Sequence, residues 1–262
     1  MRPSVRWGLV VAPALLTVAG LGAGVDAQQI RLRVAIYSAP GVGDDALVAA
    51  RGALAELDAR EVTPEDVRGR GLDRASVVLF TGGRGSVQGR LLGEDGRERV
   101  RRFVREGGGY VGICAGSYLA IQGPAEFHKI GIVAAHNRTG DRWIRGIAPI
   151  PVRPNDGTAE LELHYANGPI LEAEAVPGLA PFVTLATFRG ELYLQGHGTL
   201  PGEMLDTPAI AVAAYGRGRI VLFSPNPTLE PAHPELLLRA VRWAARGEPI
   251  GAAVRYRDVL GP

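Results

Sequence analysis

One thiol concentrates the chemistry available to this chain. Cys114 is its only cysteine and stands in Gly112-Ile113-Cys114-Ala115-Gly116, where an apolar run meets a helix-like one. Gly-x-Cys-x-Gly at a strand-to-helix junction is the nucleophile-elbow pattern with Cys in place of Ser. The flanking glycines let the backbone turn sharply and keep side chains away from the sulfur. At the start of a helix, Cys114 would feel aligned amides that stabilise a thiolate and lower its pKa. The Ala115 amide would serve as one oxyanion donor, and the Gly82-Gly83 turn would supply a second through Gly83. A buried free cysteine is often only a small hydrophobe. The elbow setting is what points to a nucleophile instead.

A thiol nucleophile needs a base, and the five histidines are its candidates. His128 and His136 lie in a middle segment, and His164 precedes Tyr165-Ala166-Asn167-Gly168, a stretch expected to border the pocket. His197 lies between two glycines, in an exposed setting. His233 opens His233-Pro234-Glu235, which is expected to cap a terminal helix. His197 and His233 are the leading base candidates. Gly82, Tyr118, Tyr165, Asn167 and Asn226 are expected to line the pocket. No His-x-x-x-His or similar spacing occurs, so no metal is expected. Neither a phosphate loop nor a dinucleotide fingerprint is present, and no cofactor is expected. Asp44-Asp45 and Glu160/Glu162 are expected to be a helix cap and an outward strand face, not acid–base pairs.

Composition narrows the function classes. The 262 residues are 46% hydrophobic and 21% charged, too apolar for a disordered chain and of a length suited to one domain. The formal net charge of +2 is no nucleic-acid footprint. A single cysteine excludes an intrachain disulfide framework and any multi-thiolate zinc site. At the N-terminus, Arg2 and Arg6 precede an uncharged apolar stretch from Leu9 to Leu21. Val25-Asp26-Ala27 then has the small-x-small form of a cleavage site. Residues 1–27 are therefore expected to be a signal peptide and 28–262 a single exported domain, periplasmic or secreted. The alternative is an uncleaved N-terminal membrane anchor.

The elements that must hold Cys114 follow from periodicity. A strand is expected over 30–37 and a helix from Asp44 or Asp45, with Leu47, Ala50, Leu54 and Leu57 on one face. A short strand is expected near 61–63 and a buried parallel strand over 75–80, opening at Thr81-Gly82-Gly83. The helix over 93–106 would point Val100, Phe103 and Val104 inward and its arginines outward. A strand over 107–113 and a helix over 115–121 flank Cys114. Strand-like pieces follow at 147–152, 159–165 and 182–188. A hairpin turns at Gly216-Arg217-Gly218, and a last amphipathic helix spans 234–246. Strand–helix alternation of this kind predicts an α/β sandwich around a mostly parallel sheet.

The order of these segments resembles the class I glutamine amidotransferase-like superfamily and, within it, the biotin-protein ligase N-terminal-domain-like family. The resemblance rests first on Gly107-Gly108-Gly109-Tyr110-Val111-Gly112-Ile113-Cys114-Ala115-Gly116-Ser117-Tyr118. It is extended by Tyr37-Ser38-Ala39-Pro40-Gly41 and by Thr81-Gly82-Gly83, where the family has Pro-Gly-Gly. Further on, Tyr165-Ala166-Asn167-Gly168-Pro169 and Gly218-Arg219-Ile220-Val221-Leu222-Phe223-Ser224-Pro225 complete it. The similarity spans about residues 30–246 and implies a three-layer, flavodoxin-like sandwich.

One departure bears on activity. The last strand of glutamine amidotransferases leads into His-Pro-Glu, the general base and the carboxylate that orients it. Here the same place holds Asn226-Pro227-Thr228. Asn cannot take and return a proton near neutral pH, so the family triad cannot be assembled from these residues. Without that base the chain is not expected to be a complete glutamine amidotransferase, nor is it expected to be a biotin ligase. Two functions follow. One is a module, or impaired enzyme, that binds a small molecule or peptide. The other is a cysteine-dependent amidase or hydrolase in which Cys114 attacks an amide or ester.

Overall fold

The computed structural model describes residues 32–140, 143–247, 250–251 and 253–261. The expected signal peptide, 1–27, lies outside the described residues. Among those described, no helix is long and apolar enough to cross a membrane.

The first half alternates strand and helix. It runs β1 (Arg33–Tyr37), α1 (Asp44–Ala53), β2 (Asp58–Val62), α2 (Pro64–Arg68), β3 (Val77–Phe80), α3 (Gly85–Arg105), β4 (Gly109–Ile113) and α4 (Ala115–Ala120). Strands dominate next: β5 (Ala135–Asn137), β6 (Ile147–Pro154), β7 (Leu161–Ala166), β8 (Leu171–Ala173), β9 (Val183–Phe188), β10 (Pro208–Tyr215) and β11 (Gly218–Phe223). Helices α5 (Pro234–Ala244) and α6 (Tyr256–Leu260) close the chain.

Nine strands form one sheet in the order β2-β1-β3-β4-β11-β10-β9-β6-β7, and β5 and β8 form a small ribbon. The five strands from β2 to β11 are parallel, as alternation predicts. The remainder is antiparallel, built on the 215–218 hairpin. The parallel strands are buried on both faces and therefore read as continuous apolar runs. Val34, Ile36, Val77, Leu79, Val111 and Ile113 enter the core under α5. Their alternates Ala35, Tyr37, Val78, Phe80 and Tyr110 enter the opposite core with Val100, Phe103 and Val104 of α3. Helices on both faces of the sheet give the three-layer sandwich.

Local chemistry sets several boundaries. Thr63 and Asp66 form a capping box that starts α2, Thr63 Oγ1 accepting from the Asp66 amide and the Asp66 carboxylate from the Thr63 amide. Neither Asp44 nor Asp45 is the cap of α1: Gly43 is, and both aspartates fall in its first turn. Helix α3 begins eight residues before Gly93, where the sequence places its start. Gly93 is instead a kink with φ of 67° that joins two helical stretches. The outward arginine face of α3 also needs correction. Arg102 and Arg105 are exposed, but Arg97 is buried, donating to Gly89 O at 2.8 Å and Glu94 Oε2 at 2.5 Å. Arg101 is half-buried on Ile130 O, Glu94 and Glu98. These guanidiniums fold back onto carbonyls and carboxylates that the turns around them present.

Candidate functional site

Cys114 joins β4 to α4 with φ 50° and ψ −103°, a conformation side chains rarely adopt and one that strains the backbone. The surroundings hold it there. The Cys114 amide donates to Phe223 O at 2.8 Å, and Tyr118 donates back to Cys114 O at 3.0 Å. Ser117 Oγ lies 2.9 Å from Gly112 O and 2.7 Å from Phe223 O, and the Tyr110 hydroxyl donates to Gly116 O at 2.7 Å. A Cβ on Gly112 would stand 2.7 Å from the Gly116 carbonyl carbon, and one on Gly116 would stand 2.1 Å from Phe80 O. Both glycines of the motif are thus required by the close approach of α4 to the ends of β3 and β4.

The carboxyl ends of β3, β4 and β11 open into a cleft of about 560 Å³, where ligands of open α/β sheets bind. Cys114 forms its floor, with Gly82, Gly83 and Arg84 after β3, Asn226 after β11, and Asp44 and Asp45 on α1. His164 and Ala166 of β7 complete the wall. The thiol donates to Ala166 O at 3.4 Å. Burial pushes this thiol up to about 11, against hydrogen bonds from the Gly83 and Ala115 amides that pull it down. The expected lowering by the helix amides is therefore outweighed, and Cys114 carries its proton at neutral pH. The two amides expected as oxyanion donors, of Gly83 and Ala115, are the groups that pull the thiol down.

Asn226 is 4% exposed. Its Oδ1 accepts from the Thr228 amide and hydroxyl, both at 2.8 Å. An amide N–H can only meet the oxygen, which fixes the side chain's orientation and leaves Nδ2 on the cleft side. That nitrogen lies 3.9 Å from where a Gly82 Cβ would be, as does Cys114 Cβ.

The other expected site residues lie elsewhere. Tyr118 is buried between Trp143, Phe127, Gly85 and Lys129 and faces away from the cleft wall. Tyr165 is fully buried, its hydroxyl on Gly168 O at 2.7 Å. Asn167 pins a loop, its Oδ1 accepting from the Arg145 and Gly146 amides. His197 is exposed in a loop tied by backbone to Leu194 and Ile144. His233 precedes α5 with its Nδ1 3.5 Å from Glu235 Oε1. Neither histidine lines the cleft. His164 does, and it was not among the leading candidates. Its signal was strand alternation, which puts it on the same face as Ala166.

Among the described residues, no group of three His, Cys, Asp or Glu side chains is placed to hold a metal ion. A groove of about 490 Å³ at the opposite end of β1 is lined by Arg33, Asp58, Arg60, Arg70 and Asp73. Arg33 and Arg60 pair with Asp58, and Arg70 with Asp73.

Residues 33–133, from β1 through the elbow to the loop after α4, match the sequence model of the biotin-protein ligase N-terminal family. That match covers the first part of the chain, and the whole domain has a class I glutamine amidotransferase-like fold. A crystal structure of a glutamine amidotransferase superposes with a TM-score of 0.54 at 22% identity, covering 81% of this chain and 98% of that one. PurLQS from Thermotoga maritima superposes with a TM-score of 0.51 at 16% identity, covering 83% and 93%. At these identities the likeness is one of fold. A search of curated proteins finds no match.

Proposed function

We propose that this chain is an exported amidotransferase-fold protein whose Cys114 cleft binds a small molecule or peptide through a carbonyl or carboxylate group. It acts as a binding module or an impaired enzyme. The observation that carries this reading is the cleft itself, where half-buried Cys114 lies beside Gly82, Gly83 and Asn226; burial raises the thiol, and the resemblance implies that Asn226 stands in place of a base. A protonated thiol with no base at the family position does not turn over an amide efficiently. The donor set nevertheless suits an acceptor-rich ligand. The Gly83 and Ala115 amides act on the Cys114 thiol, and Gly83 and Asn226 line the same cleft. A signal peptide over 1–27 accounts for export, and the processed mass of the protein recovered from its host tests it.

The alternative is a cysteine-dependent hydrolase of amides or esters. Convergence of two backbone amides on the sulfur, the arrangement that stabilises an oxyanion, favours it. The pH dependence of Cys114 alkylation separates the two. A midpoint near 11 supports the binding module or impaired enzyme. A midpoint below the free-thiol value of about 8.5 overturns it in favour of the hydrolase.

A further inference from the structure

His164 reaches the cleft from a part of the fold that supplies no family catalytic residue. It lies two residues before Ala166 on β7, so the two side chains share a face, and the Ala166 carbonyl accepts a hydrogen bond from the Cys114 thiol. The Asn226 amide donates to His164 O at 2.6 Å. That bond ties β7 to the segment occupying the family's base position.

The ring of His164 is oriented by its own contact. Nδ1 lies 3.0 Å from Glu230 O. A carbonyl oxygen only accepts, so Nδ1 carries the proton and Nε2 keeps its lone pair. Asn226 adds an independent sign that the cleft takes a ligand. It is nine-tenths buried and lines the cleft, and with its oxygen taken by the Thr228 amide and hydroxyl only Nδ2 is left to meet a ligand. The charged groups lining the same cleft are Asp44 and Asp45 from α1 and Arg84 at the start of α3.

We propose that His164 is the general base of the Cys114 cleft, delivered by β7 instead of by the end of β11, with Asn226 donating to the bound carbonyl. This inference rests on the acyl-binding reading of the cleft. His164 and Cys114 line the same cleft, each with its own hydrogen-bond partner, and in this proposal one water carries the proton between them. As the S–C bond forms, the S–H bond breaks and its proton goes to the water, which gives a proton to Nε2. The carbonyl π pair moves onto oxygen, held by the Gly83 and Ala115 amides. Collapse expels the alcohol or amine, which takes the proton back from Nε2. A second water then hydrolyses the thioester by the same route, releasing the acid and restoring the thiol. Starting from a protonated thiol, such an enzyme is slow, which fits an impaired rather than an absent activity.

The test uses the full chain and 4-nitrophenyl acetate, following 4-nitrophenolate release and the mass of one acetyl group on the single cysteine. His164→Asn keeps a donor where Nδ1 meets Glu230 O but removes Nε2, and His164→Gln places a non-basic amide near the Nε2 position. Both are expected to slow acetylation about 100-fold, with unchanged melting temperature. Free imidazole should restore part of the rate in His164→Ala. Acetylation of the His164 variants at the wild-type rate would overturn the inference and leave the acyl-binding reading standing. A wild-type protein that is not acetylated overturns it as well. The acyl-binding reading falls with it only if acetate and 4-nitrophenyl acetate also fail to shield Cys114 from iodoacetamide.

Discussion

Cys114 shows how two neighbouring effects of opposite sign are decided by magnitude. Amides of Gly83 and Ala115 favour the thiolate, yet enclosure by protein removes the water that would solvate it, and enclosure wins. The thiol is held near 11 in the folded chain, against about 8.5 for a free thiol. The alkylation rate should therefore still be climbing well above pH 9. The same shift gives a stability term of known sign. As pH rises past about 8.5, unfolded chains release the thiol proton while folded chains keep it, so the folded state loses ground until its own value is reached. Urea unfolding at about pH 8 and about pH 10.5 should show wild type losing more stability than Cys114→Ser across that interval. Equal losses would mean that the thiol titrates alike in both states.

The elbow is a property of two elements, β4 and α4, pressed against the end of β3. Gly116→Ala places a methyl group where Phe80 O already stands, 2.1 Å from the new carbon. Backbone on both sides leaves nothing flexible to yield, so a loss of about 3 kcal/mol or more is expected from chemical denaturation. Wild-type stability in this variant would show that α4 can move off β3. These elements were legible because buried parallel strands write themselves as apolar runs and because a tight turn demands glycine. The Val77–Phe80 run, the Gly109–Ile113 run and the Gly216-Arg217 hairpin are of that kind. The first half of α3 was not legible, since Gly85 and Gly89 lower helix propensity where tertiary packing needs their small size. Arg97 was not legible either, because a guanidinium buried on carbonyls has the same letter as one in water. Tyr118, Tyr165 and Asn167 were placed at the site by nearness to motifs, and adjacency in sequence does not tell which face a residue presents. His164, placed near the pocket by the sequence, was ranked below His197 and His233 for the converse reason. Its neighbour Asn226 is remote in the chain, and only the bridge between β7 and the segment after β11 brings the two together.

Across the molecule, the parallel half carries the cleft at its carboxyl edge, while the antiparallel half curls until β7 meets the residues that follow β11. The C-terminal helix is anchored far from that meeting point. Asp156, in the turn after β6, has a side chain only 1% exposed and accepts from the Arg257 amide at 2.9 Å and Arg257 Nε at 2.8 Å, across 101 residues. Thr158 adds a hydroxyl and an amide to the same carboxylate. Burial by itself would raise this carboxyl, but the hydrogen bonds from Arg257 and Thr158 prevail and hold it well below the usual carboxylate range. The unfolded chain, with its ordinary value near 3.9, takes up the proton first on acidification. The stabilisation is therefore present in full above about pH 4 and drains away as pH falls further. Asp156→Asn should cost about 2–3 kcal/mol at neutral pH, with the deficit narrowing toward pH 3 in urea unfolding. Because α6 packs on α5, hydrogen exchange should quicken over Tyr256–Leu260. The amides of β4 should be untouched, and alkylation of Cys114 should keep its rate. A deficit that stays constant on acidification would assign the stabilisation to shape and packing. Altered thiol reactivity would instead reveal coupling between the C-terminal anchor and the cleft.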